Sequence, residues 1–377
     1  MATQQTANEA CFIGLQVVPT IVWGGTGVGK TTVISQLAKA LDRNFHLLIG
    51  STHLPEDFSG YPDADRELGV IRMMPTQWVD AFKDGSGFLL LDEFTCVPPT
   101  TMAAELSLIT ERRVGDYTLP ESTIIVAAAN PPELAPSGNA LPPSMRSRFF
   151  HYKWEIDRNE LFAGYRKGLE WSAPAFPIVP AEHRSLYPKY GGMVEAFLRS
   201  TPDCMEKLPD SDECLAFPNP RTWSYVVKTL SAAESVGHDH SGAVFRKLVA
   251  GCVGDAAGSE FLRYMATLDL LNPAEVLEGT VKYKYVNRPD LNICLLTGLV
   301  KELRVNSTSE RWTRAAQVFC DIGEHEVETF LTQFKQLWNP VAQGGVRPDG
   351  WMPQTALLNR LMKLVPQGIQ EFGKQAK

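Results

Sequence analysis

An α/β fold built on a parallel sheet is the expectation for this sequence, and three observations lead to it. Short apolar runs alternate with segments of helical spacing as far as Trp154. Two of those runs, Gly87–Asp92 and Thr123–Ala129, are apolar almost throughout, as strands covered on both faces must be. Between the first run and the first helix stands Gly24-Gly25-Thr26-Gly27-Val28-Gly29-Lys30-Thr31, a glycine, four free residues and Gly-Lys-Thr.

The elements follow in order. Thr20-Ile21-Val22-Trp23 enters the glycine segment as a strand, and Thr32–Leu41 leaves it as a helix. Converging backbone N–H groups and the positive end of that helix suit phosphate oxygens. The nucleotide-binding set runs through Gly25, Thr26, Gly27, Val28, Gly29, Lys30, Thr31 and Thr32. Lys30 would reach the β- and γ-phosphates, and Thr31 would offer its hydroxyl to Mg²⁺. Phe45–Gly50 is the second strand, and Trp78–Phe82 has helical spacing. Gly87–Asp92 is the third strand, and Thr100–Thr110 returns as a helix. Val114-Gly115-Asp116-Tyr117 reads as a hairpin. Thr123–Ala129 and Phe149–Trp154 complete a sheet of alternating strands and helices.

Beyond Trp154 the texture becomes helical, over Asp157–Leu169, Thr222–Ala233, Gly242–Val253 and Ser259–Leu271. From Asn272 a further region opens with Val281–Val286, which alternates like a strand. Amphipathic helices follow at Leu291–Leu303, Arg311–Cys320 and Val327–Trp338. Trp23 is expected to pack beneath the sheet, and Trp338 in an apolar stripe.

Composition narrows the function classes. A net charge of −7 and the lack of a basic tract give no footprint for nucleic acid. No apolar run approaches a membrane span, and Met1–Ala10 carries no signal segment, so a cytoplasmic protein with a frayed start is expected. The seven cysteines are scattered without Cys-x-x-Cys spacing and read as reduced thiols. His238-Asp239-His240 lacks a third ligand at useful spacing and reads as a solvated loop. Lys282-Tyr283-Lys284-Tyr285 reads as an edge strand guarded by lysines.

Four further features bear on the chemistry. Asp92 ends the third strand, where a carboxylate can hold the water shell of Mg²⁺, and Glu93 is the natural base for water attack on the γ-phosphate. Asn130 closes the fourth strand, where an amide can orient that water; a plain strand-to-turn Asn before Pro131 is the other reading. Arg146 and Arg148 precede the fifth strand, where a cation could reach a neighbouring subunit's nucleotide as an arginine finger. Residues two apart on a helix diverge, so only one would do so, with Arg148 favoured. Asn219 and Pro220 suit a helix start, and Arg221, a cation in the first turn, opposes the helix dipole. That placement suggests a nearby anion, the γ-phosphate being the candidate.

Taken in this order, the motifs resemble those of AAA+ ATPases. Pro55-Glu56-Asp57-x-x-Gly60, Glu111-Arg112-Arg113-Val114, Asn130-Pro131 and Arg148-Phe149 are similar to elements of the MoxR-like branch. The resemblance covers about residues 11–265. It implies a phosphate-loop NTPase sheet with an α-helical lid and a mainly helical C-terminal extension. The expected organisation is a flexible start (1–10), the nucleotide-binding domain (11–154), the lid (155–271) and the extension (272–377). It also implies an ATP- and Mg²⁺-dependent hexameric ring that remodels a partner protein, often one with a von Willebrand factor A domain. The insert between Tyr61 and Arg72 is short for this branch, and residues 272–377 carry no matching motif. A nucleic-acid motor and a nucleotide-gated switch of low turnover are the rival readings of the same fold.

Overall fold

The computed structural model describes residues 4–131, 139–156, 158–168, 176–209, 211, 214–240, 242–268, 270–338, 351 and 354–364. Two compact units divide the chain: residues 1–183 with 203–262, and residues 184–202 with 263–377.

In the first unit, five parallel strands make one sheet. These are β1 (Thr20–Trp23), β2 (Asn44–Ile49), β5 (Gly87–Asp92), β8 (Ile124–Ala129) and β9 (Phe150–Lys153), in the order β2-β5-β8-β1-β9. Two hairpins lie apart from it, β3 (Tyr61–Asp65) with β4 (Val70–Met74) and β6 (Arg113–Val114) with β7 (Tyr117–Thr118). The expected parallel α/β sheet is therefore what the chain forms, with β1 at an interior position.

Helices cover both faces, which is why the central strands are apolar on both sides. Ile21, Trp23, Leu89, Leu91, Ile125 and Ala127 point into a core shared with Phe58, Phe82, Phe94, Met102 and Leu108. Of these, Phe58 lies on α3 (Pro55–Ser59), and Met102 and Leu108 on α4 (Pro99–Glu111). On the other face α1 (Gln4–Val17) packs on β1 and β8, and α2 (Lys30–Ala40) packs on β2 and β5. A short helix α5 (Pro143–Arg146) leads into β9. After it come α6 (Arg158–Arg166), α7 (Tyr187–Ser200), α8 (Pro220–Ser235), α9 (Ala243–Val253) and α10 (Asp255–Ala266). Of these, α9 packs on β9 and on α1.

Two expectations need correction. Within the expected frayed start, residues 4–10 open α1: Ala10 is fully buried, and Cys11, Phe12, Ile13 and Leu15 are buried with it. Asn8 is held too, since its Oδ1 accepts from Tyr152 Oη at 3.1 Å. The second correction concerns Val281–Val286, which forms no strand. Its alternation is real but serves side chains. Tyr283 Oη donates to Asn292 Oδ1 at 2.9 Å, and the Tyr285 ring stacks on His325 with centroids 4.0 Å apart. The segment lies over helices, and among the described residues of its unit there is no sheet edge to join.

The second unit is helical among its described residues. It contains α7, α11 (Pro273–Glu278), α12 (Pro289–Val305), α13 (Ser309–Gly323), α14 (Val327–Trp338) and the helix Thr355–Leu364. Leu296, Leu299, Trp312, Phe319, Phe330 and Phe334 make its core. The side chain of Trp338 lies outside the described residues.

Candidate nucleotide site

The loop after β1 is shaped by its glycines. Gly27 and Gly29 adopt φ of 75° and 85°, the left-handed region in which glycine is unstrained. A Cβ at either would meet nothing within 4 Å, so conformation and not crowding selects glycine. Helix α2 begins at Lys30, which aims its first amides at the loop. Trp154 Nε1 donates to Val28 O at 3.2 Å and fastens the crest of the loop to the end of β9. Lys30 Nζ donates to Gly24 O at 2.6 Å, Gly25 O at 2.9 Å and Asn130 Oδ1 at 3.0 Å. Burial lowers the pKa of this lysine, and the charge of Asp92 opposes that shift.

Strand register brings the remaining groups to the same edge. Trp23 pairs with Ala129, Leu91 with Ala127 and Ile49 with Asp92, so the carboxyl ends of β1, β8, β5 and β2 align. Thr31 Oγ1 donates to Asp92 Oδ2 at 2.8 Å, and the Glu93 amide donates to Asp92 Oδ1 at 2.9 Å. Asn130 Nδ2 lies 3.4 Å from Thr26 Oγ1. Thus Thr26, Lys30, Thr31, Asp92 and Asn130 form one linked group. Glu93 has φ of 56°, a left-handed conformation rare for a non-glycine residue and common at functional sites. Its exposed carboxylate accepts from Ser51 Oγ, just beyond β2. Ser51 has no motif to announce it; only its place two residues after a strand could have drawn attention.

The arginines lie at the opposite edge. Thr20 pairs with Phe150, and Phe150 N donates to Pro19 O at 2.9 Å, so the residues before Phe150 sit at the amino ends of the strands. Three residue steps of β1 separate that edge from the loop, about 10 Å at ~3.3 Å per residue. Arg148 Nε donates to Thr110 Oγ1 at 2.8 Å, and its guanidinium also donates to Ser144 O. Arg221 joins it: its guanidinium donates to Ser147 Oγ at 3.3 Å. Burial, and after it the nearby Arg221 charge, pull the Arg148 pKa below its ordinary value. Asn219 caps α8, accepting from the amides of Arg221 and Thr222 at 3.0 and 3.1 Å.

Arg148 is half-buried and Arg221 exposed, but Arg146 is buried. Only 3% of it is accessible, and its guanidinium donates to Ser211 O at 3.3 Å and Cys214 O at 2.8 Å. The alternative of Arg146 as the outward cation is therefore corrected: the turn after α5 directs it into its own chain. Arg221 likewise stands at the edge opposite Lys30 and not over this loop's own phosphate position. The cause is the path of α8, whose first turn packs on Ser147 and whose Tyr225 Oη donates to Arg148 O at 3.2 Å.

The weaker sequence signals resolve as ordinary contacts. His238 Nε2 lies 3.5 Å from a Glu9 carboxylate oxygen. Among the described residues no group of three or more His, Cys, Asp or Glu side chains could hold a metal, and no helix is long and apolar enough to cross a membrane. Trp23 is buried beneath the sheet, as its place before the loop predicts.

No curated protein matches the chain. A crystal structure described as a "putative ATPase" from Cytophaga hutchinsonii resembles it with a TM-score of 0.40 and 20% identity, over 62% of this chain and 75% of that one. A likeness of that degree carries no argument. The phosphate loop, Asp92, Glu93, Asn130 and Arg148 all fall in the segment matched by a family model: residues 19–149 match the AAA domain of the dynein-related subfamily.

Proposed function

We propose that this chain binds Mg²⁺-ATP in the loop of one protomer and hydrolyses it with cations contributed by a neighbouring copy. The observation that carries this reading is the convergence of Lys30, Thr31, Asp92 and Asn130 at one sheet edge while Arg148 and Arg221 pair at the other. A phosphate held at Lys30 lies out of reach of its own arginines, so a second copy must supply them.

Each group then has a task. The loop amides and Lys30 hold the β- and γ-phosphates, and Asn130 holds the Lys30 ammonium in place. Thr31 and Asp92 present a hydroxyl and a carboxylate 2.8 Å apart, a hard-oxygen pair that suits Mg²⁺. When bound, the ion would neutralise charge on the phosphates. Glu93 polarises the attacking water once it leaves Ser51, and Asn130 Nδ2 orients that water or the γ-phosphate. Arg148 and Arg221 of the neighbour stabilise the charge that develops on the transferred group.

Such an arrangement supports a closed ring, of which a hexamer is the form that MoxR-like ATPases adopt. The negative net charge supports a protein client over nucleic acid, and a protein with a von Willebrand factor A domain is the candidate partner, in the cytoplasm. The test is steady-state phosphate release together with nucleotide affinity and oligomer mass. Loss of nucleotide binding in Lys30→Ala, with assembly and turnover in the parent, supports the reading. A parent that stays monomeric and releases no phosphate at any nucleotide concentration overturns it.

A further inference from the structure

His151 joins the two edges of the sheet. Its Nδ1 lies 3.0 Å from Trp23 Nε1, and its Nε2 lies 2.8 Å from Arg146 O. The indole can only donate, so Nδ1 accepts, and Nε2 carries the proton given to the carbonyl. His151 is therefore neutral with a fixed tautomer. Burial pushes its pKa down to about 4, which keeps it so at neutral pH. The Trp23 and His151 rings also stack, with centroids 6.1 Å apart and planes 10° from parallel. Both side chains are buried, so neither hydrogen bond competes with solvent.

The ends of this link are the ends of the proposed chemistry. Trp23 immediately precedes Gly24, whose carbonyl accepts from Lys30. Arg146 is the last residue of α5, two before Arg148, and its guanidinium grips the carbonyls of Ser211 and Cys214 in the segment that leads to Arg221. Ser147, between the two arginines, accepts from Arg221. A continuous path of hydrogen bonds and adjoining backbone thus runs from the phosphate loop through Trp23 and His151 to both outward cations.

We propose that His151 is a positioning residue that couples nucleotide in a protomer's loop to the placement of that protomer's own Arg148 and Arg221. A filled site then sets the cations offered to the next site in the ring. This rests on the function proposed above, but it acts within one chain and is measurable without turnover. A shift of the loop on phosphate binding moves Gly24 and Trp23, and the buried imidazole passes the movement to Arg146 O because no water can substitute for it.

The experiment measures hydrogen exchange over residues 143–149 in the full chain, with and without a nonhydrolysable ATP analogue. His151→Leu, His151→Gln and Trp23→Phe are compared with the parent. Gln keeps an acceptor and a donor at the imidazole position, Leu removes both, and Phe removes the indole N–H. The expected result is a nucleotide-dependent slowing of exchange, at least ~3-fold, in the parent and in His151→Gln. Its loss is expected in His151→Leu and Trp23→Phe at unchanged analogue affinity, together with a roughly 10-fold fall in kcat and a steady KM. Nucleotide-dependent slowing that survives in Trp23→Phe, or in a folded His151→Leu, overturns the coupling. Absent turnover in the parent counts against the proposed function alone, because the exchange comparison still decides the role of His151.

Discussion

Ser51 donates its hydroxyl to the Glu93 carboxylate, so the residue proposed to activate water is held by the turn after β2. That bond competes with any water for the same oxygen. Ser51→Ala should free the carboxylate and raise basal phosphate release several-fold. A rise of about 10-fold would correspond to about 1.4 kcal/mol, near the low end for a hydrogen bond to a charged group. Steady-state kinetics at saturating ATP checks it; a fall in kcat would show that Ser51 instead holds Glu93 in its working position.

Glu93→Gln keeps the shape of the side chain and removes the carboxylate proposed as the base. Nucleotide affinity should be unchanged, while turnover should drop by at least ~100-fold, the low end for loss of a general base. Single-turnover phosphate release together with a binding isotherm separates the two effects. Near-normal release would place the base on another residue.

Arg148→Ala should leave a protomer able to bind nucleotide yet unable to serve its neighbour. Mixed with Lys30→Ala, whose arginines are intact, it should recover a fraction of the parent activity, because some sites then face a working cation. Arg221→Ala should behave in the same way in the same mixing assay, since it stands beside Arg148. Arg146→Ala should differ from both: its guanidinium holds two carbonyls of its own chain, and its loss should lower Tm and expression first. Mixed-ring phosphate release and thermal melts distinguish these outcomes.

The parts of this site that could be read from sequence are those whose chemistry is written contiguously. The glycine segment must be glycine where φ is positive, and an acid that ends a wholly apolar strand has few other reasons to be there. Asn130 was legible as a strand end, but its bond to Lys30 came only from the pairing of β1 with β8. Arg146 and Arg148 are close candidates in sequence, where Arg148 is favoured only on helix geometry. Their opposite fates depend on a four-residue helix whose end turns one inward and leaves the other at the surface. Ser51 and His151 meet partners 42 and 128 residues away, a separation that no local pattern records. Residues 184–202 group with the C-terminal helices across an intervening segment, which a linear reading divides differently. Val281–Val286 shows the converse failure: period-two alternation reports which side chains are covered, and a strand also needs a partner edge.

Glu105 is a carboxyl on α4 with no accessible surface, and among the described residues neither of its oxygens has a hydrogen-bond partner. Burial alone drives its pKa up to about 8. In the unfolded chain the same group titrates near ~4.3. Between those values the folded protein holds a proton that the unfolded chain has released, so stability falls as pH rises through this window. The effect is present in full below the unfolded pKa and is lost by about pH 8. Glu105→Gln and Glu105→Leu should therefore both melt higher than the parent at pH 7.5. The gap should shrink steadily towards pH 5 and stop growing above pH 8.5. For Leu the gain also includes removal of an unpaired buried polar group, on the order of 1–3 kcal/mol. Melting curves of the three proteins across that range check the expectation. A Tm difference that does not change with pH would mean that Glu105 finds a charge partner in the folded chain and stays ionised there.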